Sequence, residues 1–202
     1  MKFFLLGLIV FSSSAFADFD LAQINFGVGM INSSVTETPS GLTPSASSST
    51  EEEVGSGSVP VIGAFLEYEK FFNSKLSLVG RSAFPLMPGA AGSYVFLGTG
   101  LNYYFQSLSS TGSFATKEST IFIVPTWRFH VGGGLGGAYV IYNTESAKKS
   151  DTLIEIAANA GATYTQSKTW AYRSEFTMGR GIGFNSTAMT MKIMFGMVYT
   201  LY

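Results

Sequence analysis

The sequence predicts an all-β chain, an eight-stranded antiparallel up-and-down transmembrane β-barrel, and three observations carry that reading. Eight segments alternate apolar and polar or small residues with a period of two. Charged residues are only 12% of the 202 residues, against about 25% in soluble domains, while aromatics reach 15%. Beyond the N-terminus no stretch is long and apolar enough to cross a bilayer as a helix, and lipid accepts only helices and closed barrels.

The N-terminus reads as an export signal. Met1-Lys2 is a short basic start, residues 3–11 are an apolar run, and Ala15-Phe16-Ala17 fits a small-x-small cleavage site. The expected organisation is residues 1–17 as a cleaved signal peptide and residues 18–202 as a barrel in the bacterial outer membrane. The 23 glycines disfavour long helices.

The strands follow in order. Residues 21–33 set Ala22, Ile24, Phe26, Val28 and Met30 against Gln23, Asn25, Gly27 and Gly29. Residues 59–71 set Ile62, Ala64, Leu66 and Tyr68 against Gly63, Phe65, Glu67 and Glu69. Residues 76–84 oppose Leu76, Leu78 and Phe84 to Ser77, Arg81 and Ala83. Residues 93–105 oppose Val95, Leu97, Leu101, Tyr103 and Phe105 to Gly98, Gly100, Asn102 and Tyr104. Residues 126–142 give the clearest pattern, with Trp127, Phe129, Val131, Leu135 and Tyr139 on one side and Arg128, His130, Gly132, Gly134 and Gly136 on the other. Residues 121–124 are apolar and are expected to extend this strand. Residues 153–164 set Ile154 and Ile156 against Glu155, Asn159 and Thr163. Residues 169–181 set Trp170, Tyr172, Phe176 and Met178 against Arg173, Glu175 and Thr177. Residues 189–201 set Met189, Met191, Ile193, Phe195, Met197, Tyr199 and Leu201 against Thr190, Lys192, Gly196 and Thr200.

In these segments the apolar, aromatic side carries almost no charge, while the other side carries charges and glycine. A soluble barrel alternates with the opposite sense, apolar inside and polar outside. The expectation is therefore an oily outer surface and a polar lumen. Turns near Asn73 and Ser167 are short, as periplasmic turns are. Residues 33–57 form the long, flexible extracellular loop, dense in Ser, Thr and Pro, with Glu51, Glu52 and Glu53 near its end. Those glutamates are candidates for a surface contact or weak cation binding; a hydrophilic loop is the plainer reading. Residues 86–92, 143–151 and 184–188 are the other expected external loops. The connection at 107–119 is longer than a usual periplasmic turn, so either part of it is strand or the register there is shifted.

Inward charges balance: Glu67, Glu69, Glu155 and Glu175 against Arg81, Arg128, Arg173 and Lys192. In so narrow a lumen they must pair. A hairpin turn near Asn73 sets Glu67 beside Arg81, and later turns group Arg173, Glu175 and Lys192. A static salt-bridge plug is the plainer outcome; a gated narrow pore is the alternative. His130, the single histidine, joins this network as a hydrogen-bonded filler. Arg180 lies on the outward parity near the external rim, where it could meet lipopolysaccharide phosphates or snorkel into the headgroups.

The glycine-rich strand Val131-Gly132-Gly133-Gly134-Leu135-Gly136-Gly137-Ala138-Tyr139, the Ala-Phe-Ala site and the last strand, Phe195 to Tyr202, resemble the small eight-stranded outer-membrane barrels. That superfamily includes the OmpA transmembrane domain, OmpW and the opacity-type adhesins. The resemblance implies an aromatic-x-aromatic C-terminal signal for the barrel-assembly machinery, carried here by Phe195, Met197, Tyr199, Leu201 and Tyr202, with Leu201 where phenylalanine is usual. It also implies outer-membrane lipid and lipopolysaccharide as surroundings. Lipid A deacylases of this size carry a His-x-Ser pair; the matching position after His130 is Gly132, so the nucleophile is missing.

The remaining chemistry is narrow. There are no cysteines, which removes thiolate catalysis and most structural zinc sites. Neither a Ser-His-acid set, a metal-ligand cluster nor a phosphate loop is present, so no catalytic residue, metal or cofactor is expected. A net charge of −1 without a basic patch gives no footprint for nucleic acid. The functional expectation is a non-enzymatic barrel with a structural or surface-interaction, adhesin-like role. The alternatives are a porin-like narrow pore and, last, an envelope lipid-modifying enzyme.

Overall fold

The computed structural model describes residues 21–37, 56–87, 92–106, 114–115, 120–121, 126–143 and 147–201. The strands are β1 (Ala22–Glu37), β2 (Ser56–Phe71), β3 (Leu76–Met87), β4 (Gly92–Tyr104), β5 (Phe114–Ala115), β6 (Thr120–Ile121), β7 (Trp127–Asn143), β8 (Lys148–Thr165), β9 (Trp170–Gly183) and β10 (Ser186–Leu201). Eight of them close into an antiparallel barrel in the order β1-β10-β9-β8-β7-β4-β3-β2. The seam between β1 and β10 is fully zipped, from Ala22↔Leu201 to Glu37↔Ser186, so neither terminal strand leaves an open edge.

The wall is longer at the loop end, opposite the chain termini, than the sequence suggests. β1 continues past Ser33 to Glu37 and β2 starts at Ser56, so the connection expected over 33–57 shrinks to residues outside the described set. β3 runs to Met87, β4 starts at Gly92, β7 reaches Asn143 and β8 begins at Lys148. The last external connection is a tight turn at Phe184-Asn185. At the other end, the long β4–β7 connection contains a small hairpin, Phe114↔Ile121 and Ala115↔Thr120. Ile121 therefore pairs locally and does not extend β7. The register between β4 and β7 stays in step from Gly92↔Tyr142 to Tyr104↔His130.

Most outward side chains in the middle of the wall are large and apolar. Val28, Ile62, Leu66, Leu97, Leu135, Ile156 and Phe195 are each more than half exposed. A band of that kind has its natural solvent in lipid. Aromatic residues gather toward the termini end, where Trp170 packs on Tyr199 at 4.9 Å and Trp127 on Tyr164 at 5.0 Å between ring centroids. Girdles at the membrane–water boundary use such rings because one edge tolerates water.

Toward the loop end the polarity of the alternation reverses. Along β1 the outward residues change from Phe26, Val28 and Met30 to Asn32, Ser34 and Thr36, all exposed. The inward residues change from Asn25, Gly27 and Gly29 to Ile31 and Val35, both fully buried. β2 does the same, with Ser56, Ser58 and Pro60 outside and Val59 and Val61 inside. On β1 and β2 the apolar-outward sense therefore holds in the band, and above it these two strands take the sense of a water-surrounded barrel. Water outside demands polar residues, and the interior can then be apolar.

Candidate functional site: the lumen

Inward glycines clear the space that the lumen's large side chains fill. A Cβ on Gly161 would strike the His130 ring, and one on Gly179 would lie 2.7 Å from Glu155 Oε1. One glycine is required for its backbone: Gly92 has φ +144° and approaches the Ile141 carbonyl closely.

Lumen side chains form layers along the axis. Nearest the termini, Arg128 is 2% exposed and its guanidinium lies 4.1 Å from the Tyr104 ring centroid and 5.2 Å from that of Phe71. Its Nε and Nη2 have no hydrogen-bond partner among the described residues, so this arginine is held by ring faces.

Above it lies the main charge network. Glu69 accepts hydrogen bonds from Arg173 Nη1 at 2.7 Å, from the Tyr104 hydroxyl at 2.9 Å, from Asn102 Nδ2 at 3.1 Å and from the Ser77 hydroxyl. Arg173 Nη2 donates to Glu175 Oε2 at 2.6 Å. His130 Nε2 lies 3.0 Å from that same guanidinium nitrogen and 2.9 Å from Glu175 Oε2. Glu67 and Arg81 are direct cross-strand partners, joined at 3.1 Å. The two other Arg81 nitrogens donate to Asn159 Oδ1 at 3.1 Å and Asn102 Oδ1 at 2.9 Å. Asn25 Nδ2 donates to Glu67 Oε2 at 2.8 Å.

Lys192 does not join Arg173 and Glu175. Its ammonium donates to Glu155 Oε1 at 2.6 Å, and the Tyr94 hydroxyl donates to Glu155 Oε2 at 2.5 Å. The ammonium also sits 3.8 Å from the Phe96 ring centroid. Between this pair and the main network is a cavity of about 30 Å³, lined in part by Glu67, Arg81, Glu175 and Lys192. That is room for about two waters.

At the loop end the lumen is closed by an apolar cluster of Ile31, Val35, Val59, Val61, Val140, Tyr142, Leu153 and Ala188. The β1–β2 hairpin leans over the mouth to complete it: a Cβ on Gly57 would lie 2.9 Å from the Asn143 carbonyl oxygen of β7, a strand β2 does not pair with. On top, Lys149 of β8 reaches Glu37 of β1 at 2.6 Å, and the Tyr142 hydroxyl lies 3.4 Å from the same carboxylate. Hydrogen bonding to Glu37 holds the Lys149 ammonium above its ordinary pKa. This apolar closure has no counterpart among the sequence-selected residues, and the signal for it was the phase change at Asn32 and Pro60.

Among the described residues no group of acidic and histidine side chains is arranged to hold a metal. His130 is 1% exposed, and among the described residues it hydrogen-bonds the Glu175 carboxylate and the Arg173 guanidinium and no hydroxyl. Phe195, Met197, Tyr199 and Leu201 form a ladder on the outer face of β10. Tyr202 and Glu51, Glu52 and Glu53 lie outside the described residues, as does the expected signal peptide.

No protein-family model matches the chain, and no curated protein matches it. Solved structures do. The outer membrane protein OprG from Pseudomonas aeruginosa superposes with a TM-score of 0.57 at 13% identity, over 91% of this chain and 97% of that one. The N-terminal β-barrel domain of Pseudomonas aeruginosa OprF gives 0.54 at 8% identity, over 91% and 98%. This chain has the fold of the small eight-stranded outer-membrane barrels. The likeness extends to architecture, and at these identities a shared architecture leaves the role to be argued from the site.

Proposed function

We propose that this small outer-membrane barrel is a sealed, non-enzymatic scaffold of the bacterial outer membrane with a structural or surface-contact role. The observation that carries the reading is the apolar closure above the charge network. Ions crossing the lumen would have to pass both the paired layer of Glu67, Arg81, Arg173 and Glu175 and the dry cluster around Val59, Val140 and Leu153. The cavity beside the paired layer has a volume of only about 30 Å³. The hairpins β1–β2 and β7–β8 continue past the apolar band and offer their polar outer faces to the outside. On this reading residues 1–17 direct export and are cleaved, and the outer ladder of β10 is read by the barrel-assembly machinery.

The test is planar-bilayer recording of refolded protein. Wild type and Arg81→Ala are both expected to give no discrete conductance, because removing Arg81 leaves the apolar closure in place. Stable conductance steps in wild type overturn the sealed reading in favour of the narrow pore. Turnover of envelope lipid that disappears in His130→Ala overturns the non-enzymatic one.

A further inference from the structure

Glu67, Glu69, Glu155 and Glu175 face Arg81, Arg128, Arg173 and Lys192 in the lumen, but the two sets do not pair one to one. Arg81 binds Glu67 and Glu175, Arg173 binds Glu69 and Glu175, and Lys192 binds Glu155. Three cations thus take all four glutamates. Asp151, the other inward acid, is spent on the β9–β10 turn, where it accepts from the Asn185 backbone N–H and the Ser186 hydroxyl. Arg128, 2% exposed, is left with no carboxylate among the described residues.

The unused part of Arg128 is a fork. Nε and Nη2, whose N–H groups point along one side of the guanidinium, have no hydrogen-bond partner among the described residues. That edge matches the two oxygens of a carboxylate in side-on, bidentate geometry. The Tyr104 and Phe71 rings, with centroids 5.4 Å apart, form a platform under the guanidinium. Ring faces compensate a desolvated cation only in part. Glu69 is not free to complete the compensation. It bonds the hydroxyl of Tyr104, and its oxygens already accept from Arg173, Asn102 and Ser77 as well.

Position gives the fork its access. Arg128 is the second residue of β7, and Thr126, the next inward position toward the termini, is exposed. The apolar closure is at the opposite end of the lumen. A ligand reaching Arg128 from the termini side therefore has neither the closure nor the paired layer to cross.

We infer that the termini end of the lumen is an anion site in which the Nε–Nη2 fork of Arg128 takes the carboxylate of a small organic acid. The ring platform selects this class over phosphate. A planar carboxylate lies in the guanidinium plane and keeps its oxygens off the rings, whereas a tetrahedral phosphate turns an oxygen toward the negative ring face. The inference goes beyond the sealed-scaffold reading and is compatible with it, because nothing has to cross the barrel.

The experiment uses full-length mature protein refolded into phosphatidylcholine vesicles and unfolded with urea in sodium acetate or sodium chloride of equal ionic strength. Insertion is read separately, from the heat-modifiable gel shift. For a site half-filled near about 10 mM, about 100 mM acetate shifts the wild-type folding equilibrium about tenfold beyond its value in chloride. Acetamide, the neutral isostere, is expected to give no shift. Arg128→Leu is expected to refold and to lose the acetate increment, and Arg128→Lys, a cation without a fork, to keep only a small part of it. Should Arg128→Leu fail to refold, Arg128→Lys carries the comparison. Arg180→Gln, which removes a charge from the outer face, is expected to keep the increment in full. An equal acetate increment in wild type and both Arg128 variants overturns the site, as does its absence from wild type. A larger increment with inorganic phosphate than with acetate overturns the choice of a carboxylate. An increment that appears only after Asp20→Asn or Glu118→Gln overturns the free ligand in favour of a carboxylate of the chain itself. Failure of wild type to insert strikes the membrane-barrel reading instead.

Discussion

Lys192 and Glu155 meet at 2.6 Å inside the wall although they sit on β10 and β8, strands separated by β9. Both are nearly fully buried, and the ammonium rests against the Phe96 ring. Removing one partner leaves an uncompensated buried charge, which costs about 3–5 kcal/mol. Glu155→Ala is therefore expected to lower unfolding stability by that amount in a urea titration in lipid vesicles followed by tryptophan fluorescence. The double variant Glu155→Met with Lys192→Met is expected to recover most of the loss, because an apolar pair of similar volume needs no desolvated charges. A double variant as unstable as the single one would mean that packing, and not charge, sets the cost.

Arg128 and Arg173 are equally buried but should respond differently to substitution. Arg173 bridges Glu69 and Glu175, at 2.7 and 2.6 Å. Among the described residues Arg128 has no carboxylate partner, and it rests on Tyr104 and Phe71. Arg173→Leu strands two carboxylates and is expected to cost about 3–5 kcal/mol or to prevent refolding. Arg128→Leu keeps apolar contact with the rings and relieves a desolvated cation, so its expected change is within about 1 kcal/mol, the scale of the lost ring interaction. The same urea titration separates the two.

Glycine positions give a contrast between the two faces of β-strands. An added Cβ at Gly29 would collide with the Ile193 carbonyl, whereas one at Gly137 meets nothing within 4 Å. Gly29→Ala has to shift backbone and is expected to cost about 1–3 kcal/mol, as overpacking does. Gly137→Ala points outward and is expected to be neutral or slightly stabilising. Equal midpoints for both variants would contradict the close approach of β1 and β10.

Much of this was legible because alternation is a local property. The side of each strand that carries Phe26, Leu66, Trp127 or Phe195 can be read without knowing any partner, and the partner of Glu67 follows from one short turn to Arg81. Proximity across a hairpin groups Lys192 with Arg173 and Glu175 in the sequence, whereas the structure pairs it with Glu155. In a closed, curved wall inward side chains reach beyond the adjacent strand, and closure geometry is not written in any one segment. The strand ends were missed for another reason. Asn32, Ser34 and Thr36 have loop-like composition, yet they are the outer face of a strand whose inner face is Ile31 and Val35. A period of two persists there, but its phase is inverted, and composition alone reads that as a loop.

The phase inversion makes a depth-dependent prediction along one strand. Val28 and Ser34 both point outward from β1, six residues apart, the first in the apolar band and the second beyond the change of sense. If lipid surrounds the first and water the second, arginine at the two sites meets different solvents. Val28→Arg is expected to cost about 2–4 kcal/mol and Ser34→Arg about 0–1 kcal/mol, the range spanned by lipid-facing charges from midplane to interface. Unfolding of both variants from vesicles, compared with wild type, gives the difference directly. The cross-strand neighbours sharpen the comparison: Val28 lies between Ala64 and Phe195, while Ser34 lies between Ser58 and Met189. The long arginine stem at residue 34 can lie along Met189 with its head in water, which lowers its cost further. A loss as large at residue 34 as at residue 28 would put the membrane boundary above Ser34, leave the hydroxyls of Ser34 and Ser58 in hydrocarbon, and remove the physical reason for the apolar interior at that level.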